Sequence, residues 1–405
     1  MKMRDLVVAG VMGVVLLCAS ALGSGCAAMP GSNTRGLTPA PPIGTHVRTA
    51  FAHHLNGPGP VLTSKFAGQI FGWGIDENGT DGVLTEVVPG SGNSFTSIVE
   101  AFDQPTAQIK KVVRKQFSGP SGNRELAVEG ILSNDVGLVD YERLYPNSVR
   151  RDIYYVMAPV LGYEITGIWT RPPGRNFLIY DIADQQRDPV AVMAATIIDR
   201  TIKNPPTFEV VVTDVATNRI LHILHAPKLD GVNYPYLVAE DITTHHAYVP
   251  AANYRSETVF VDFDTRNGHV SNTFIAPPFS GPVGGIAIDS ATHMMCTTTG
   301  TNYSVQMYDL RTKKQTFVGQ IPNAGGEGQA GSSIAADPIH HVFLVEQPNS
   351  LLGGSEIYVY DEKGKVLEGL TGFAFAPSSG IQVDATGRTG YVAGPHANQL
   401  QSFTY

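Results

Sequence analysis

Reactive chemistry is scarce in this sequence. Its 405 residues include only three cysteines, Cys18, Cys26 and Cys296, and only 16% of residues are charged. So few thiols, so far apart, build no disulfide framework, and a chain of this length can bury a large core without one. The net charge is −8 with no stripe of Lys or Arg, which removes the electrostatic footprint of a nucleic-acid binder. No G-x-S-x-G, H-E-x-x-H or G-x-x-x-x-G-K occurs, so nucleophile-elbow hydrolases, zinc peptidases of that type and P-loop enzymes fall away. The glycines of GGEGQAG (325–331) have no strand–helix–strand setting and do not read as a nucleotide cradle. What remains is 42% hydrophobic residues, the composition of a folded globular protein.

The N-terminus has a character of its own. Lys2 and Arg4 precede an apolar stretch from Leu6 to Leu22, which runs into small residues ending at Gly25-Cys26-Ala27-Ala28. This is the charged start, apolar middle and small-residue end of an export signal. It resembles the bacterial lipoprotein signal, and the resemblance implies cleavage before Cys26, with Cys26 then carrying lipid. Cleavage after Ala21 or Ala28, or an uncleaved anchor, are the alternatives. Residues 1–26 are thus expected to be a signal peptide. Residues 27–57, rich in Gly, Pro, Ser, Thr and Ala, are expected to be a tether. The expected location is the bacterial cell envelope, periplasmic or outer-membrane-facing, with membrane contact through the lipid alone; without lipidation the protein is secreted. Cys296, in the strand-like MMCTTT, reads as a small core residue and not as a nucleophile.

Beyond the tether the dominant feature is a ladder of aspartates. Asp241, Asp289, Asp337 and Asp384 are separated by 48, 48 and 47 residues. Each ends a short aliphatic run and is followed by a turn and a second apolar run. A second marker, an aromatic residue before Asp264, Asp309 or Asp361, follows 23, 20 and 24 residues later. Repeats of 40–50 residues made only of strand-like pieces identify an all-β β-propeller, one four-stranded sheet per repeat. The region 58–405 accommodates seven such blades. Asp76 and Asp103 mark the first blade, and Asp214 marks the third; the second, near 124–170, follows by elimination. The last repeat has only three strands, so Pro60 to Phe66 is expected to supply the fourth and close the ring, leaving a monomer without an open sheet edge.

The Gly-(I/L)-x-x-Asp pattern with a Tyr-Val-Ala step at Tyr391-Val392-Ala393 resembles the NHL and YVTN-type propellers and the gluconolactonase and strictosidine-synthase-like superfamily. The resemblance covers 235–405 well and 60–230 loosely. It specifies a fold that hosts hydrolases, scaffolds and sensors alike.

In such a ring the turns after the aspartates lie on one face, and the loops between blades and between second and third strands lie on the other, around the tunnel mouth. His245, His293 and His341, each four residues after a marker aspartate, are therefore read as turn residues on separate blades rather than as a metal site; Arg388 holds the same place in the last repeat. Gly285, Ser333 and Gly380, four before a marker, read as small residues at the crowded axis. The binding candidates are mouth-face residues: Glu86, Asn253, Arg255, Asn302, Glu327, Glu346, Asn349 and His396. Carboxylates and amides around a tunnel suit a hard cation such as Ca2+ or another divalent ion. The lactonases of the resembled superfamily hold one in this way, and the resemblance nominates Glu86, Asn253, Asn302 and Glu346. The leading expectation is a binding module for a small molecule or an envelope protein; the alternative is a divalent-metal-dependent lactonase or ester hydrolase.

Overall fold

The chain divides into two units, Met1–Leu37 and Thr38–Tyr405, and every described residue belongs to the second. The computed structural model describes residues 57–405 apart from 64–68, 76–80, 90–94, 105, 118–123, 134–135, 145–149, 159–163, 171–176, 184–189, 198–207, 215–218, 226–236, 253–257, 272, 276–282, 300–303, 323–332, 350–353, 374–379 and 395–398. The proposed signal peptide, Cys26 and the tether up to residue 56 lie outside them. The described residues are strands and turns, with no helix.

Strand β1 (Gly57–Thr63) comes first and stands apart. Blade 1 follows as β2 (Gln69–Ile75), β3 (Asp81–Pro89), β4 (Phe95–Asp103) and β5 (Gln108–Phe117). Blade 2 is β6 (Arg124–Ser133), β7 (Val136–Leu144), β8 (Arg150–Ala158) and β9 (Glu164–Thr170), where the sequence places it by elimination. Blade 3 is β10 (Phe177–Ile182), β11 (Val190–Ile197), β12 (Phe208–Asp214) and β13 (Arg219–His225). Blade 4 is β14 (Ala239–Asp241), β15 (His246–Ala252), β16 (Thr258–Asp264) and β17 (Phe274–Ile275). Blade 5 is β18 (Val283–Asp289), β19 (Met294–Thr299), β20 (Ser304–Asp309) and β21 (Lys314–Gln320). Blade 6 is β22 (Ile334–Asp337), β23 (Val342–Asn349), β24 (Gly354–Asp361) and β25 (Val366–Leu370). Blade 7 is β26 (Ile381–Asp384), β27 (Thr389–Gly394), β28 (Gln399–Thr404) and, across the ring closure, β1. Each blade is an antiparallel four-stranded sheet.

The aspartate ladder makes the first turn of blades 4 to 7. Asp241 Oδ1 accepts the backbone N–H of Thr243 at 3.0 Å and of Thr244 at 3.3 Å. Asp289 does the same for Ala291 at 2.9 Å and Thr292 at 3.4 Å, and Asp337 for Ile339 at 2.8 Å and His340 at 2.9 Å. Such side-chain mimicry of a turn is why Asp recurs there. The chain then reverses through a left-handed residue: His245 and His293 at φ 58°, His341 at 56° and Arg388 at 48°. A non-glycine there costs about 1–2 kcal/mol.

The side chains at those positions reach the preceding blade. His293 Nδ1 lies 2.7 Å from Asp241 Oδ2, and His341 Nδ1 lies 3.0 Å from Asp289 Oδ2. Blade 7 varies the theme: Tyr405 Oη donates to Asp337 Oδ2 at 2.8 Å, and Arg388 stacks 5.5 Å from the Tyr405 ring centroid. His293 and His341 are thus clasps between neighbouring blades.

Between the blades lies the core. Alternate residues of each strand face opposite neighbours. Val261 and Phe263 pack with blade 3, whereas Phe260 packs with Met295 and Tyr308 of blade 5. Cys296 and Met307 meet Phe343, Val345 and Tyr358 of blade 6. Leu344 and Ile357 meet Ile381, Val392 and Phe403 of blade 7. Cys296 is fully buried, and burial pushes its thiol up, as befits a core residue. Gly364 (φ +82°) is required twice over, since a Cβ there would lie 2.2 Å from the Phe317 ring of blade 5.

Ring closure occurs in the last sheet, in the order β1-β28-β27-β26. The strand is β1 at Gly57–Thr63, three residues earlier than Pro60–Phe66. Its pairs run from Gly57 opposite Thr404 to Thr63 opposite Gln399, with a register shift between Pro58 and Val61. Pro58 and Pro60 read as breakers in sequence, but an outermost strand needs no donors on its free side, and a bulge absorbs the misfit. Leu62 packs with Trp73, Ile75, Leu84 and Phe102 of blade 1 and with Tyr391, Ala393 and Leu400 of blade 7. Gln382 completes the seam: its Oε1 accepts Ile75 N–H at 2.9 Å and its Nε2 donates to Trp73 O at 3.1 Å.

Candidate functional site

First-to-second and third-to-fourth turns of one sheet lie at the same end, so the ladder and the second aspartate series share the turn face. The opposite end is the mouth. Of the mouth-face candidates, Asn253, Arg255, Asn302, Glu327 and His396 lie outside the described residues. Glu86 stands on β3, paired with Ile70 and Ile98, and Asn349 ends β23 opposite Gly354. Glu346 lies on β23 opposite Ile357, fully buried, and its N–H donates to Ser333 O at 3.0 Å. Ser333 in turn accepts the N–H of Ile381 through its hydroxyl, joining blades 6 and 7 where a larger side chain would keep the backbones apart.

Glu346 stands nine residues after its marker aspartate, where the neighbouring repeats have Pro250, Thr298 and Ala393. A carboxylate buried in place of small uncharged residues costs several kcal/mol unless its charge is met by partners. Blade 6 also has a longer middle hairpin than blade 5: β23 and β24 have eight residues each, against six for β19 and β20. The extra length, Pro348–Asn349 and Gly354–Ser355, lies at the mouth and follows Gln347 and Glu356, which pair across the strands, are buried and stand where blade 5 has Thr299 and Ser304. Tyr358 Oη donates to the Glu356 carboxylate.

Strand alternation sorts these groups. Glu346 shares a face with Leu344, toward blade 7, whereas Gln347, Glu356 and Tyr358 share the face of Val345, toward blade 5. Glu346 and Glu356 are therefore on opposite faces of one sheet and form no carboxylate pair. On the other face of blade 5, toward blade 4, a separate polar network starts at the mouth, where Thr299 Oγ1 and Ser304 Oγ meet at 2.7 Å. Gln306 Nε2 donates to Ser304 Oγ at 3.4 Å, Tyr308 Oη donates to Gln306 Oε1, and Gln315 Nε2 donates to Gln306 Oε1 at 3.2 Å. Gln347 belongs to the mouth-face run Glu346–Asn349 that the sequence already offers, whereas Glu356 and the blade 5 network were missed by sequence reasoning. Their signal was present as polar residues inside strand patterns, but which face each occupies is set by register.

For the nominated cation set, Glu86 and Glu346 belong to blades 1 and 6, with blade 7 between them. Among the described residues no group of three His, Cys, Asp or Glu side chains is placed to hold a metal ion. The described residues alone do not assemble that site.

On the turn face the carboxylates are engaged. Asp262, buried, meets Nδ1 of His246 and, at 3.0 Å, Nζ of Lys313 from blade 5. His340 Nδ1 lies 2.7 Å from Asp337 Oδ2. The Thr106 hydroxyl and the Lys110 ammonium hold the Asp103 carboxyl below the usual range. Burial pushes Asp264 and Asp309 up, but the backbone N–H groups of Arg266 and Asn267, and of Arg311 with its guanidinium, outweigh it and leave both low. Burial, and then the Asp337 charge, push the Tyr405 phenol far up, so it stays a donor.

No protein-family profile matches the chain, and no curated protein sequence matches it. Solved structures do resemble it. A chain of the mitotic checkpoint complex aligns with a TM-score of 0.56 at 10% identity, over 95% of this chain and 99% of that one. The RRP9 WD40 repeats align at 0.57 and 11% identity, over 87% and 99%. The Cps50 (Swd1) β-propeller domain of Myceliophthora thermophila aligns at 0.56 and 9% identity, over 85% and 100%. At such identities the likeness speaks for the fold alone, and it agrees with the sheet topology: the protein is a β-propeller.

Proposed function

We propose that this protein is exported, lipid-anchored at Cys26 in a bacterial envelope, and binds a small molecule or envelope protein through its mouth face. The observation that carries the binding reading is the lengthened middle hairpin of blade 6, where buried Glu346 takes a position held by Pro250, Thr298 and Ala393 in the neighbouring repeats, next to buried Gln347 and Glu356. Such polar groups set acceptor-rich, negative character just beneath the rim of a rigid ring, which suits a partner rich in N–H and O–H donors. A propeller chain within the mitotic checkpoint complex, and the other similar propellers, support a role as a binding platform by analogy of architecture only. The NHL and gluconolactonase-like resemblance of the sequence supports the same architecture.

The test is photocrosslinking in the host cell, with a photoreactive residue at Asn349 on the mouth or at Thr312 on the turn face. A defined adduct from Asn349, lost with Glu356→Gln, is expected. Metal-dependent hydrolysis of an aliphatic lactone that disappears with Glu346→Gln and Glu86→Gln would replace this reading with the hydrolase one. Anchoring is tested by detergent-phase partitioning, which Cys26→Ser should abolish.

A further inference from the structure

On blades 4 to 7 the exposed charges are sorted by sign. Lys110, Arg219, Arg266, Arg311, Lys314, Lys363 and Lys365 are exposed, and all seven belong to the turn end of their blades or to the outer strands leaving it. No described Asp or Glu of blades 4 to 7 is exposed. The turn-face carboxylates are drawn inward: Asp241, Asp289 and Asp337 are buried beneath their turns, and Asp103, Asp264 and Asp309 accept hydrogen bonds from their own turns. Arg266 and Arg311 meet their aspartates through Nε, at 3.9 and 3.3 Å, and each arginine side chain stays 63% exposed. In a chain of net charge −8, the turn ends of blades 4 to 7 thus show a cationic contact surface.

Two independent features share that end. Ile339 projects from the first turn of blade 6 with 45% of its surface exposed, beside the exposed Pro338. In addition, β1 pairs with β28 so that Gly57 lies opposite Thr404, at the turn end, and Thr63 lies at the mouth. The segment before Gly57, which runs back to Cys26, therefore joins the ring at the turn face. The 30 residues from Ala27 to Asn56 span at most roughly 100 Å when extended, enough to reach a bilayer from that face.

We propose that the turn face docks on an anionic phospholipid bilayer, its lysines and arginines at the headgroup phosphates and Ile339 entering the interface. Exposed cations are attracted to such a surface by about fivefold in affinity each. The apolar projection favours a bilayer over a soluble polyanion, which offers nothing for Ile339 to enter. The inference uses the anchoring reading only to bring a membrane near, and the mouth is then presented away from it.

The test uses the full chain with Cys26→Ser, which bears no lipid, in co-sedimentation with vesicles of phosphatidylcholine alone or mixed with phosphatidylglycerol. The apolar N-terminal stretch partitions into both, so the readout is the ratio of the two partition coefficients. It should exceed one, fall with added salt, and drop about a hundredfold in Lys314→Gln/Lys363→Gln/Lys365→Gln with an unchanged melting temperature. Ile339→Ser should weaken binding to anionic vesicles. Lys2→Gln/Arg4→Gln, which leaves the ring untouched, should keep the preference even if the triple variant fails to fold. An equal ratio in wild type and triple variant, or a preference that vanishes with Lys2→Gln/Arg4→Gln, overturns the proposal. So does complete competition by dextran sulfate with no effect of Ile339→Ser, which points to a soluble polyanion. None of these outcomes alters the mouth crosslinking result, so the two readings fail separately.

Discussion

The register of the closing strand can be tested by two neighbouring substitutions. Leu62 is 5% exposed and inserts between blades 7 and 1, whereas Val61, next to it, is 38% exposed on the other side of the strand. Leu62→Ala removes a buried isobutyl group from a seam that includes Trp73 and Tyr391, both held by their own strands and slow to fill the space. The expected loss is about 3 kcal/mol, within the usual range for such cavities. A domain of roughly 350 residues unfolds with an entropy of about 0.7 kcal/mol/K, so the melting temperature should fall by about 4 °C. Val61→Ala should cost about 0.5 kcal/mol or less and shift it by under about 1 °C. Differential scanning calorimetry of the purified protein gives both numbers. A strand slipped by one residue would exchange the two outcomes, because every side chain changes face. Equal shifts, or a larger one for Val61→Ala, would refute the closure described above.

Three further outcomes follow from the same geometry. Deleting residues 57–63 should lower the melting temperature by about 10 °C and cause concentration-dependent aggregation seen by light scattering, since β28 becomes an open edge; an unchanged, monodisperse protein would sink the closure. His293→Ala should destabilise by about 2 kcal/mol through loss of the Asp241 clasp, and His293→Gly by about 1 kcal/mol less, because glycine relieves the left-handed backbone; denaturant titration that ranks Ala above Gly contradicts the clasp turn. Asp103, Asp264 and Asp309 are more acidic folded than unfolded, so their stabilisation is complete above the unfolded carboxylate value near pH 4 and lost as pH falls through the lower folded values. Urea midpoints should be level down to about pH 5 and fall below about pH 4, less steeply when all three are Asn; a fall on raising pH from 5 to 7 would be the wrong sign.

How far the fold was legible depended on how strictly each repeat kept its turn chemistry. Asp241, Asp289, Asp337 and Asp384 were readable because an Asx turn tolerates few substitutes, and they located blades 4 to 7. Blade 2 lacks both markers and could be placed only because something had to fill 124–170. The closing strand was found but set three residues late, since the apolar run PVLTSKF marks a strand whereas Gly57-Pro58-Gly59 carries no apolar pattern to extend it. The site was less legible. Glu346 stood out as a departure from the repeat, but its burial and its separation from Glu356 by the thickness of a sheet follow from register, which a single strand does not encode. The cationic face was invisible for another reason. Lys110, Arg266, Arg311 and Lys363 are scattered along the sequence without a run, and only the repeat brings them to one end.

The β1–β28 seam also imposes an order in time. Gly57 and Thr404 are partners across 347 positions, so the first strand delivered, by a ribosome or through a secretion pore, has no place to go until the last arrives. Blades 1 to 6 each contain all four of their strands and can form as the chain emerges; blade 7 cannot. Contacts this distant in sequence slow folding, and until they form both ends of the sheet stack offer unpaired edges to other chains. Holding the waiting strand apart from other molecules during that interval is a requirement that the closed ring, once made, no longer reveals.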